Sequence, residues 1–223
     1  DPTQSGFIIL HDGADALAAR IRLIDMAEHS LDIQYYIYNT DITGGLITER
    51  LMAAADRGVR VRLLIDDVGA NVDDVGIATV GLHPNIDVRL YNPVSLRSNW
   101  MKLLGKVIEF GRINYRMHNK LMVADSTALI TGGRNIGDEY FSLTDIDFQD
   151  VDVIAIGPIA ESAADSFDNY WNSGIAIPIT MMTGERTAEE LAGMRAKLGS
   201  ATRQAARNPY IRAVAESRFL SDL

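Results

Sequence analysis

Alternation governs the first 91 residues of this 223-residue chain. Short runs rich in β-branched and aromatic residues take turns with stretches of helical period. Phe7 to Leu10 reads as a first strand. From Gly13 onward, Leu17, Ile21, Ile24 and Ala27 recur near the 3.6-residue period, with Arg20, Arg22, Asp25 and Glu28 assigned to the opposite face. Leu31 to Tyr38 reads as a strand, and a second helix through Leu46, Leu51 and Ala54 is stopped by Gly58. Val59 to Ile65 is a third strand, Asp73 to Leu82 a weaker helix, and Ile86 to Tyr91 a fourth strand. This rhythm predicts an α/β fold with a mostly parallel or mixed central sheet and helices on both faces. Ligands of such sheets gather beyond the carboxyl ends of strands. Asp41, Asp66 and Asp67 lie there, although each taken singly is also an ordinary loop cap.

A second feature breaks the rhythm. Met117 to Ala124 is followed by Asp125-Ser126 and by Thr127 to Thr131, which reads as a hairpin closed by a turn. In extended backbone His118 and Lys120 point the same way, because strand side chains alternate. Gly132-Gly133 ends the returning strand and Asn135 follows. An imidazole, an ammonium and an amide around one point suit an anionic group, above all a phosphate.

Charge sharpens the picture. The chain carries 30 acids against 21 Lys and Arg, a net charge of -9, which weighs against nucleic acid as a partner. Arg97, Lys102, Lys106, Arg112 and Arg116 reverse that balance locally, against Glu109 alone, in a stretch whose Leu96, Trp100, Leu103, Leu104, Val107 and Ile108 fit one helix face. Val94 to Arg116 is therefore expected to be a helix packed on the core, a basic apolar flap toward an anionic lipid surface, or both. There is no cysteine, so neither disulfides nor thiolate metal ligation arise.

Past the hairpin, Val151 to Gly157 reads as a strand with Asp150 and Asp152 on one face, and Pro158 opens a helix through Trp171. Ile175 to Met182, with Pro178, reads as an edge strand or extended arm. Helical stretches at Ala188 to Leu198 and Pro209 to Leu220 close the chain. The expected organisation is an α/β domain over residues 1–178 and a helical linker over 179–223, leading toward another domain.

His118-x-Lys120, then Asp125 after four intervening residues, and Gly132-Gly133-x-Asn135 after six more, resemble the HKD motif of the phospholipase D superfamily. Gly132 to Phe141 is similar to the bacterial cardiolipin-synthase branch, C-type members in particular. Asp41-Ile42-Thr43-Gly44 and Ala55-Asp56-Arg57-Gly58-Val59 with Asp66-Asp67 are similar to earlier parts of that family. Gly133 departs from the Ser that many members carry, leaving one hydroxyl donor fewer.

The resemblance implies a metal-free, cofactor-free reaction through a phosphohistidine at His118. Lys120 and Asn135 would stabilise the phosphate, and Asp150, or after it Asp152, would orient the imidazole. Gly132, Gly133, Asp152 and Tyr36 are expected to touch substrate. Asp125, although part of the motif, sits at the turn and is expected to cap backbone donors or pair with a base. The substrate would be a phosphatidylglycerol-like phospholipid with an alcohol or water acceptor, handled by a peripheral protein at a bacterial membrane. Of the four histidines, His11, His29, His83 and His118, only His118 has a Lys two positions on. The family joins two such motifs, so the second is expected from another half or another copy. A homodimeric nuclease and an inert half serving as a binding module are the alternatives.

Overall fold

The computed structural model describes residues 3–68, 74–93, 116–144, 148–183 and 186–220. The chain runs β1 (Gly6–Leu10), α1 (Gly13–Met26), β2 (Ser30–Tyr35), α2 (Ile42–Asp56), β3 (Arg60–Asp66), α3 (Asp74–Val80) and β4 (Ile86–Tyr91). It continues through β5 (Leu121–Ala124), β6 (Ala128–Gly132), β7 (Asp152–Ile156), α4 (Pro158–Trp171), β8 (Ala176–Pro178), α5 (Thr180–Thr183), α6 (Ala188–Ala205) and α7 (Pro209–Ala215). The expected helix from Val94, with its basic residues up to Arg112, lies outside the described residues.

The strands form one open sheet in the order β1-β7-β6-β5-β2-β3-β4-β8. Helical crossovers make β2–β3 and β3–β4 parallel, whereas every other pair is antiparallel. The sheet is thus mixed. The βαβ rhythm describes only its β2–β4 portion; the tight turn at Asp125 forces the opposite sense on the hairpin. Pro178 sits in β8, an edge strand, where its missing N–H costs no ladder bond.

Apolar interior lies on both faces. Leu31, Ile33, Val61, Leu63, Met122 and Ala124 face α1, α2 and α3, while Leu64, Leu121, Val123 and Leu129 face Phe167 and Trp171 of α4. Burial on both sides explains why β5 is the unbroken apolar run Leu-Met-Val-Ala. Arg62 fastens α4 down: it pairs with Asp32 and Asp168, each at 2.6 Å, and lies 4.8 Å over the Phe167 ring.

Arg20 departs from its expected place. It is 0% exposed on α1, stacked 5.1 Å from the Phe141 ring centre and 2.9 Å from Asp152. The helical register accounts for this: Arg20 lies three residues after Leu17 and four before Ile24, inside the apolar stripe.

The C-terminal helices return to the body. Thr187 and Glu190 form a reciprocal capping box that opens α6, which continues through Gly199 to Ala205 and lies on α2 and α3. Arg195 grips Asp56 at 2.7 and 2.9 Å, holding that carboxyl near pKa about 2. Packing of α7 against α1 is joined by a hydrogen bond from Ser217 to Asp15.

Candidate active site

Antiparallel pairing of β5 with β2 sets Leu121 opposite Gln34. The residues just before β5 therefore lie beyond the carboxyl end of β2. Two carboxylates fix this approach. Buried Asp66, the last residue of β3, accepts the Met117 N–H at 3.0 Å and the Val68 N–H at 3.0 Å. At the other end of β5, Asp125 accepts the N–H groups of Glu28, His29 and Ser30 at 2.9, 2.8 and 2.7 Å. It pegs the hairpin turn to the entry of β2, on the side of the sheet opposite the imidazole. Burial alone would push the Asp125 carboxyl up; the three donors outweigh it and hold the group below the ordinary range. Arg116, the one described basic residue of the Arg97-to-Arg116 stretch, turns inward and donates to the Asn92 carbonyl at 3.0 Å.

Between those anchors, His118 is exposed and Lys120 is 5% exposed. Lys120 Nζ lies 3.1 Å from Nδ1 and 3.3 Å from Nε2 of His118, and donates to the His118 carbonyl at 2.8 Å. Burial lowers the Lys120 pKa, against an opposing pull from the Asp150 carboxylate. Half-buried Tyr36 backs the pair, its ring centre 4.9 Å from that of His118 and 5.6 Å from Lys120 Nζ.

Gly132 and Gly133 bring the third element alongside. A Cβ on Gly132 would collide with the backbone of Val151 and Asp152, and one on Gly133 would collide with the Asp150 carboxylate. The place of the absent serine side chain is thus already filled by Asp150. Asn135 is buried, and its Oδ1 accepts the Ile37 N–H at 3.0 Å. An N–H fixes that atom as oxygen, so the amide NH2 points the other way. There Asn135 hydrogen-bonds the Tyr140 hydroxyl, whose pKa burial nevertheless raises.

The structure brings His118, Lys120, Asn135, Gly132, Gly133, Tyr36 and Asp150 to one end of the sheet. Asp150 precedes β7 instead of lying on it. It faces Lys120 electrostatically and makes no hydrogen bond to His118 in this arrangement. Asp152, expected as a substrate contact, goes elsewhere: it is 0% exposed, paired with Arg20 at 2.9 Å and Arg134 at 3.4 Å, and it accepts the Arg134 N–H at 3.2 Å. Both its oxygens are committed away from solvent.

One supporting group, Arg134, escaped the sequence reading; a second, Asp41, stood there as an acid beyond a strand end and as a loop cap. Arg134 is 3% exposed and ties the loop after β6 to the carbonyls of His11 (2.7 Å), Leu10 (3.3 Å) and Tyr140 (3.1 Å). Asp41 caps Gly44 at 3.0 Å and accepts the Asp138 N–H at 2.7 Å, while Asp138 accepts from the Thr43 N–H and hydroxyl, both at 2.8 Å. Burial, the largest cause, raises the Asp41 pKa. These links clamp α2 to the segment that carries Asn135. Position just past a strand end signalled Asp41; for Arg134 the one signal was its place between Gly133 and Asn135.

An open groove of about 440 Å³ leaves this cluster and runs between α4 and the β6–β7–β1 side of the sheet. Among the described residues, no helix is long and apolar enough to cross a membrane.

Comparison with known proteins agrees with this architecture. Residues 20–171 match the family described as "Cardiolipin synthase, PLD-like domain". Cardiolipin synthase C of Escherichia coli (strain K12) is 42% identical over 224 residues, covering 100% of this chain and 46% of that protein. The chain thus spans less than half of that relative. Among solved structures, phosphatidylserine synthase of Haemophilus influenzae superposes with a TM-score of 0.60 at 16% identity, over 91% of this chain and 44% of that one. NucT of Helicobacter pylori gives 0.58 at 18% identity, over 78% of this chain and 98% of its own. These two likenesses concern the fold.

Proposed function

The chain belongs to the phospholipase D-like family of the cardiolipin synthases, and on that premise we propose that it is one half of a phosphatidyl-transfer or phosphodiester-cleaving site acting on phospholipids. One observation carries the reading: an exposed imidazole with a buried ammonium 3.1 Å away, beside the Gly132-to-Asn135 loop.

A neutral ring nitrogen of His118 attacks phosphorus. A P–N bond forms, the P–O bond to the leaving alcohol breaks, and that alkoxide takes a proton from an acid on the facing motif. An acceptor hydroxyl, from an alcohol or water, then gives its proton to the facing group and attacks phosphorus. The P–N bond breaks and His118 returns neutral. Lys120 offsets the phosphate charge in both steps and Asn135 contributes an N–H. Asp150 holds the ammonium in position, and Tyr36 limits the tilt of the imidazole. Asp125 acts on the hairpin and does not touch the reacting atoms.

The chain has a single His-x-Lys, so the proton donor comes from another half or another copy. Support for lipid over nucleic acid comes from the relatives' names and from the net charge of -9. The test uses a protein that also contains the second motif. His118→Ala is expected to abolish turnover of phosphatidylglycerol and to remove the acid-labile phosphoenzyme trapped with labelled substrate. Full turnover without His118 would overturn the proposal.

A further inference from the structure

The groove beside His118 has an uneven lining. At one end stand His118 and Lys120. Along the rest lie Leu129, Val153 and Ala155 of the sheet, and on the facing wall Ile159 and Ala163. Among the described residues no carboxylate lines it, in a chain of net charge -9. Phe7, 62% exposed on β1, stands at the rim. Register explains the continuity. Phe7 pairs with Ala155, Ile9 with Val153, and Val153 with Thr131, so one face of three neighbouring strands presents a single apolar floor. The wall is open because α4 presents Ser162, Ala163 and Ser166 there, where larger side chains would close the space.

We propose that this groove seats an acyl chain of the phosphatidyl group whose phosphate meets His118 and Lys120. The inference rests on the phospholipid reading above and adds where the chain lies. Charge distribution selects the occupant. A single-stranded polyanion calls for cations and stacking surfaces all along its track. Among the described residues this groove has one ammonium, at one end, followed by apolar and hydroxyl side chains. That is the pattern of an amphiphile with one anionic group. From Ile159 to Ser166 the helical wall extends about 10 Å at ~1.5 Å per residue, so it covers part of a long chain and leaves the remainder in the bilayer.

The experiment uses the protein with both motifs and phosphatidylcholine vesicles containing phosphatidylglycerol that carries a photoreactive diazirine, either along one acyl chain or on the glycerol head group. Mass spectrometry maps the adducts. Chain-probe adducts are expected on Ile159 to Ser166 and on the β6–β7 floor, and head-group adducts near His118. Chain adducts outside the groove, or a groove left unlabelled because another half or copy covers it, overturn the proposal. Mapping reads binding, so it decides the matter whether or not the protein turns lipid over. Failed turnover with correctly placed adducts would count against the catalytic reading alone. Ser162→Trp and Ser166→Trp, both at exposed positions, fill the groove. They are expected to lower the kcat/KM preference for dioleoyl over dihexanoyl phosphatidylglycerol by roughly fifteenfold, equivalent to two buried methylenes at about 0.8 kcal/mol each. An unchanged preference is the contrary result.

Discussion

Asp125→Asn separates a catalytic from a structural reading of the acid in the motif. Oδ1 of Asp125 accepts from His29 and Ser30, and Oδ2 accepts from Glu28. The Asn oxygen retains the first two bonds. Its NH2 then confronts the Glu28 N–H, donor against donor. One lost bond to a charged acceptor, at a site partly open to water, is worth about 1–2 kcal/mol. In a chain of this size that shifts Tm by about 3–7 °C. Asp125→Ala removes all three bonds and costs about 3 kcal/mol. The effect has a pH signature. The folded-state pKa of Asp125 is depressed, so its stabilisation is complete above the unfolded value of about 3.9 and is lost as pH falls through the folded value. The gap between wild type and Asp125→Asn in urea unfolding is therefore wide at neutral pH and closes below about pH 4. Turnover per folded molecule, measured well below Tm with the second motif present, stays near wild type. Lost turnover with unchanged unfolding would refute the argument.

Other expectations follow from the same geometry. Lys120 is pushed toward its neutral form by burial, so the alkaline limb of the pH–rate profile falls below the ordinary lysine value of 10.5, and Lys120→Arg moves it upward. Gly133→Ser crowds the Asp150 carboxylate and lowers turnover, whereas the double variant Gly133→Ser/Asp150→Ala recovers part of it, as steady-state kinetics will show. Arg20→Met leaves buried Asp152 with Arg134 alone and costs about 3 kcal/mol in urea unfolding, at the low end for a broken buried pair.

Periodicity carried much of the fold into the sequence. Leu31, Ile33, Leu63 and Ile65 mark strands, Leu17, Ile21 and Ile24 mark a helix stripe, and each lies where its period puts it. Strand sense was less legible. Turn length decides parallel against antiparallel, and the connection from β4 to β5 is long enough for either. At the site, the spacing of His118, Lys120, Gly132 and Asn135 encoded their meeting, because one hairpin and its extension carry them all. Asp150 and Asp152 could not be told apart on sequence. They are two residues apart, yet Asp150 lies before the strand begins and Asp152 lies on it, under α1. Arg20 was hidden by its own chemistry: a guanidinium is expected outside, and its reason for burial, Asp152, lies 132 positions away.

The tethering of β5 has a mechanical meaning. This four-residue strand, about 14 Å long, is a cantilever. Asp125 clamps its root, and His118 and Lys120 ride beyond its tip. Loosening the root widens the swing at the tip before any secondary structure melts. On warming, Asp125 variants should therefore lose the His118–Lys120 alignment, and with it activity, several degrees below the temperature at which their helical signal disappears, whereas in the wild type the two losses should coincide.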